Sequence, residues 1–123
     1  MSSIAEHVGQ VWDEEILDTL VEYITIPNVS PAYEDEWVSL GHMERAVGLV
    51  HDWCAARAIA GMTIEVQRIA GLTPLIIVEV PAFGRSEAAG TVLLYGHLDK
   101  QPEMTGWREG FGPWTPILEA GRL

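Results

Sequence analysis

TVLLYGHLDKQP, Thr91 to Pro102, joins an unbroken apolar run to a polar turn through Gly96. Thr91 to Tyr95 lacks the alternation of a half-exposed strand, and predicts one covered on both faces. Beyond Gly96 stand His97 and Asp99, two residues apart. In extended backbone, residues i and i+2 point to the same side, so an imidazole and a carboxylate should lie together at the strand's exit. Loops beyond the carboxyl ends of sheet strands are where α/β proteins place their sites. Two readings of the pair stand side by side. One is a metal ligand with the carboxylate that orients its ring; the other is a structural hydrogen bond.

Upstream, Leu75 to Val80 is a second continuous apolar run, whereas Met62 to Gln67 alternates apolar and polar as a half-exposed strand does. The connection Pro81 to Gly90 is too short for a helical crossover, which needs roughly a dozen residues. The strands at 75–80 and 91–95 are therefore antiparallel neighbours or not neighbours at all. Gly84-Arg85-Ser86 within that connection reads as an ordinary turn.

Two helices precede the strands. In the first, Asp13, Glu14 and Glu15 suit the positive end of a helix dipole, and Leu17, Leu20, Val21 and Ile24 share one face. Ser3 with Glu6 in capping-box position predicts an earlier turn leading into it, interrupted at Gly9. Pro27 ends this helix, and NVSPAY, Asn28 to Tyr33, reads as a turn-rich connection. The second helix is expected from Leu40 to Ala60, with Met43, Ala46, Val47, Val50, Trp53 and Cys54 as its apolar stripe and Gly61 as its stop. Helices followed by such strands predict an α/β protein, a mixed sheet with helices packed on it.

Downstream, Glu103 to Pro116 is loop-like, its glycines flanking Trp107, Phe111 and Trp114. These aromatics either line a pocket beside His97 or cap the core. Ile117 to Leu123 reads as a strand turning through Glu119-Ala120-Gly121. His7, His42 and His51 read as surface residues, and Cys54 as a small core residue on the packed helix face.

Eighteen acidic side chains oppose seven basic ones, and Lys100 is the single lysine. A net charge of −11 repels phosphate backbones and argues against a nucleic-acid partner. No run approaches the roughly 18 apolar residues of a membrane span, so none is expected to cross a bilayer. MSSIAEHVGQ has neither the basic nor the apolar region of a secretory signal, and one cysteine permits no internal disulfide. A reducing cytoplasm is the expected compartment.

The stretch YGHLDKQPEMTGWREGFGPWTPILEAGRL, Tyr95 to Leu123, resembles the corresponding part of the aminoacylase–carnosinase metallopeptidases, the "M-twenty" group. The helix at 13–26, the IPNVSP turn, the long second helix and the strands leading into GHLD extend the likeness over the whole chain. Gln101-Pro102 tilts it towards the dipeptidase branch. The resemblance implies a three-layer α/β/α catalytic domain, of which residues 1–123 would be an incomplete N-terminal portion. It implies that His97 ligates one zinc of a two-metal site, and that Asp99, the catalytic-site carboxylate, holds the His97 ring without touching metal. The implied reaction is hydrolysis of dipeptides or N-acyl amino acids by metal-activated water, in a parent protein that is a homodimer. Manganese or cobalt would suit the same donors.

In relatives the bridging aspartate, the general-base glutamate and the other metal ligands fall beyond the position of Leu123. The 123-residue chain alone is therefore expected to bind metal weakly and hydrolyse nothing, since tight zinc sites want three or four protein ligands. Its strands should show open edges and uncovered apolar surface. The alternative function is a non-catalytic binding or interaction module derived from that fold. A third is a mononuclear metal protein pairing His97 with Glu103 or His42.

Overall fold

The computed structural model describes residues 3–84 and 90–123. Ser3 opens the first helix as the sequence predicts: Glu6 N–H donates to Ser3 Oγ (3.2 Å), and Ser3 N–H to Glu6 Oε2 (2.6 Å). This reciprocal cap satisfies two donors that a helix end leaves unpaired. Gly9 does not break the helix. α1 (Ile4–Val11) runs through a π-helical turn, Trp12–Ile16, into α2 (Leu17–Ile24).

α3 (Trp37–Leu40) is a separate single turn, and the helix expected from Leu40 begins at His42. Gly41 separates them in left-handed backbone, φ +70°, which glycine enters without a Cβ penalty. α4 (His42–Ala55) then ends five residues before the expected Ala60. Arg57 explains the early stop. Its Nε–H donates to the Trp53 carbonyl (3.1 Å), its guanidinium lies 4.2 Å from the Trp53 ring centre, and it pairs with Glu15 of the π turn. Gly61 still serves a turn, at φ +74°, where a Cβ would stand 2.8 Å from Pro81 Cγ.

β1 (Thr63–Gln67) and β2 (Leu75–Glu79) pair antiparallel, from Thr63 opposite Glu79 to Gln67 opposite Leu75. Helices and a small two-stranded sheet make a mixed α/β arrangement. α2 and β1 both pack on α4, and Ile26, Met43, Ala46 and Val47 are buried between elements. No helix among the described residues is long and apolar enough to cross a membrane.

Thr91–Tyr95 departs from expectation. It carries no strand ladder among the described residues, and Val92, Leu93, Leu94 and Tyr95 are 85–89% exposed. β-branched and aromatic residues favour strands only where a neighbour gives them something to pack on. Of the two arrangements left open for 75–80 and 91–95, the second holds: β2 takes β1 as its partner. Leu75 and Val78 are exposed as well, so β2 is not covered on both faces. The accessible surface, 9778 Å², exceeds the roughly 6,600 Å² of a compact monomer of this mass. The turn expected at Gly84-Arg85-Ser86 lies, past Gly84, outside the described residues. At the far end, Glu119 and Arg122 bridge across Ala120 (φ 50°) and Gly121 (φ 74°), two successive positive φ values that close a tight hairpin turn.

Candidate functional site

The segment from Gly96 to Lys100 is held by the chain that leaves α2. Lys100 N–H donates to the Asn28 carbonyl (3.0 Å) and Ser30 N–H to the Lys100 carbonyl (2.8 Å), a parallel bridge centred on Val29 and Lys100. The Leu98 carbonyl accepts from Tyr23 Oη (2.5 Å) and from Asn28 Nδ2 (2.6 Å). Asn28 is buried; its Nδ2 serves this one carbonyl, and its Oδ1 has no hydrogen-bond partner among the described residues. Leu98 lines an open apolar hollow together with Ile16, Leu20, Tyr23, Val50 and Trp53.

Alternation along this extended piece sends residues 98 and 100 inward and residues 97 and 99 outward. His97 and Asp99 thus meet as the sequence predicts. His97 Nδ1 lies 2.9 Å from Asp99 Oδ1 and 3.0 Å from the Asp99 carbonyl oxygen. Both neighbours are acceptors, so Nδ1 carries the proton and donates. In the neutral ring Nε2 then carries the lone pair, and the side chain is 66% exposed.

A hydrogen bond from Ser30, reinforced by His97, holds the Asp99 carboxyl below the usual carboxylate range against partial burial. Burial pushes the Tyr23 phenol up from its ordinary value and the Lys100 ammonium down to about 8. His97 and Asp99 edge an open cavity of about 650 Å³. Its apolar wall comes from Met43, Val47 and Val50 of α4 and Ile76 and Val78 of β2.

The tryptophan loop does not reach this cavity. Trp114 donates to Glu103 Oε1 (2.6 Å) and turns its ring towards Lys100. Trp107 donates to the Met104 carbonyl (2.7 Å) beside Phe111, in a separate shallow hollow. His51 pairs with Asp52 (3.0 Å), and Cys54 is half-buried with its thiol pushed up by burial. Among the described residues, no group of three or more His, Cys, Asp and Glu side chains is gathered as a metal site.

Sequence reasoning placed His97 and Asp99 but missed the residues that hold them: Tyr23, Asn28, Ser30 and Lys100. The one available signal was the isolated lysine next to the pair, in a chain with no other. The donor set fits one position of a zinc centre. A neutral imidazole with Nδ1–H on a carboxylate and Nε2 free is how metal-bound histidines are commonly oriented. No protein-family model matches this chain, and no curated protein matches it either.

Proposed function

We propose that this chain is the N-terminal portion of the three-layer α/β/α catalytic domain of a zinc-dependent hydrolase, acting on dipeptides or N-acyl amino acids. The observation that carries the reading is the His97–Asp99 geometry: Nδ1–H fixed on a carboxylate, Nε2 free beside an open cavity. His97 would hold one metal ion through Nε2, and Asp99 would hold the proton of the neutral ring on Nδ1. When bound, zinc supplies a Lewis acid and a water acidic enough to attack an amide near neutral pH. Manganese or cobalt can take the same donors.

The remaining ligands and the general base would come from polypeptide outside these 123 residues, in a homodimeric cytoplasmic enzyme. Alone, the chain would bind zinc weakly and hydrolyse nothing. The test is expression together with any open frame that flanks it, assayed on dipeptides and N-acetyl amino acids. Hydrolysis lost to a chelator, restored by zinc and abolished by His97→Ala is expected. Undiminished activity in His97→Ala overturns the reading.

A second reading draws on the exposed Val92–Tyr95 run, which suits an interaction module that pairs with a partner strand. The coding sequence separates the two. A frame continuing past codon 123 into a Gly-rich turn with paired aspartates supports the hydrolase, and a stop codon supports the module.

A further inference from the structure

We infer that Lys100 is a positioning residue: clamped on carbonyls at the end of α2 and just beyond it, it sets the register that places Asp99 against His97 Nδ1. Its importance for metal binding rests on the reading of His97 as a ligand, whereas the clamp itself does not.

A helix ends with carbonyls that have no intrahelical partner. Here Lys100 Nζ donates to the carbonyls of Tyr23 (2.7 Å) and Ile26 (2.6 Å), with the Ile24 carbonyl at 3.4 Å. Those contacts use the three donors of an ammonium, at the end of the helix where a cation is favoured. The Tyr23 ring centre lies 4.1 Å from Nζ and the Trp114 ring centre 5.1 Å away, adding two π faces to the cage. Among the described residues, no carboxylate forms an ion pair with Lys100. The chain's single lysine is committed to backbone.

The backbone of Lys100 is also bound on both sides, to Asn28 and Ser30. Leu98 is pinned through its carbonyl. Asp99 lies between two anchored residues, with its carboxylate 2.9 Å from His97 Nδ1. A slip of one residue would turn positions 97 and 99 inward and 98 and 100 outward. Lys100 opposes that slip, because its long side chain reaches three carbonyls only from the present register.

The experiment is nitrogen NMR on the 123-residue chain carrying ¹⁵N-labelled histidine, comparing the native protein with Lys100→Met and Lys100→Arg. In the native chain the His97 proton should reside on Nδ1. In Lys100→Met it should move largely to Nε2, with the amide spectrum of α1, α2 and α4 retained. Weak zinc affinity should fall about 10–100-fold, as for loss of a ligand's orienting partner. Lys100→Arg, which keeps charge and donors, should restore Nδ1–H. A folded Lys100→Met chain that keeps Nδ1–H on His97 overturns the inference. If Lys100→Met does not fold, Lys100→Gln is judged by the same criterion. Zinc uptake undiminished in His97→Ala would refute the ligand reading and leave the clamp standing, so the two failures are distinct.

Discussion

Removing one oxygen from Tyr23 tests how the His97–Asp99 segment is held. The Tyr23 hydroxyl donates to the Leu98 carbonyl at 2.5 Å, and Asn28 Nδ2 donates to the same oxygen at 2.6 Å. In Tyr23→Phe the carbonyl keeps its second donor, so no buried acceptor is orphaned. The ring remains against Lys100, so no cavity opens. What is lost is one hydrogen bond, a net of about 1 kcal/mol. That loss should lower the urea midpoint by about 0.5 M at an unchanged slope, and the melting temperature by about 3–6 °C. Tryptophan fluorescence against urea reads it directly. An unchanged midpoint would mean that the hydroxyl does not hold Leu98. A loss above about 3 kcal/mol would mean that the carbonyl had been left unpaired. The alkaline limb gives an independent check. Burial raises the Tyr23 pKa above the ordinary 10.0, so the phenol's contribution is complete below 10.0 and disappears as pH rises through the higher folded value. Tyr23→Phe should lack that limb.

Asp99→Asn should weaken zinc binding about 10–100-fold in calorimetry while the chain stays folded. Because the folded Asp99 pKa lies below the ordinary 3.8, its contribution is present above 3.8 and lost as pH falls through the lower value. Acid unfolding of the Asn variant should lack that component. Ile26→Ala removes a fully buried side chain beside Asn28 and should cost about 2–5 kcal/mol by urea denaturation. The exposed Val92–Tyr95 run should drive concentration-dependent association in sedimentation velocity, and Leu93→Lys with Leu94→Lys should suppress it. A native chain that stays monomeric at all concentrations would contradict that expectation.

What was legible in the sequence was local. Ser3 and Glu6 announce their helix because a capping box lies within one turn. His97 and Asp99 announce their meeting because extended backbone puts i and i+2 on one side. In the sequence Gly61 reads as the stop of the second helix, whereas Arg57 closes α4 through Trp53 and Glu15, and the Glu15 pairing has no sequence signature. The unbroken apolar run of Thr91–Tyr95 predicts a covered strand, and an apolar pattern does not supply the neighbouring strand that covers it. Lys100, Tyr23 and Asn28 stayed invisible for the same reason. Their bonds join residues 70 to 77 positions apart, a spacing that no periodicity reports.

The most direct test of the central claim is a zinc titration of the ¹⁵N-histidine-labelled chain, read at both ring nitrogens of His97. The account expects the Nε2 signal to move with added zinc while Nδ1 keeps its proton on Asp99, and expects the response to vanish in His97→Ala. A His97 Nε2 signal that stays still while His7, His42 or His51 responds would contradict it.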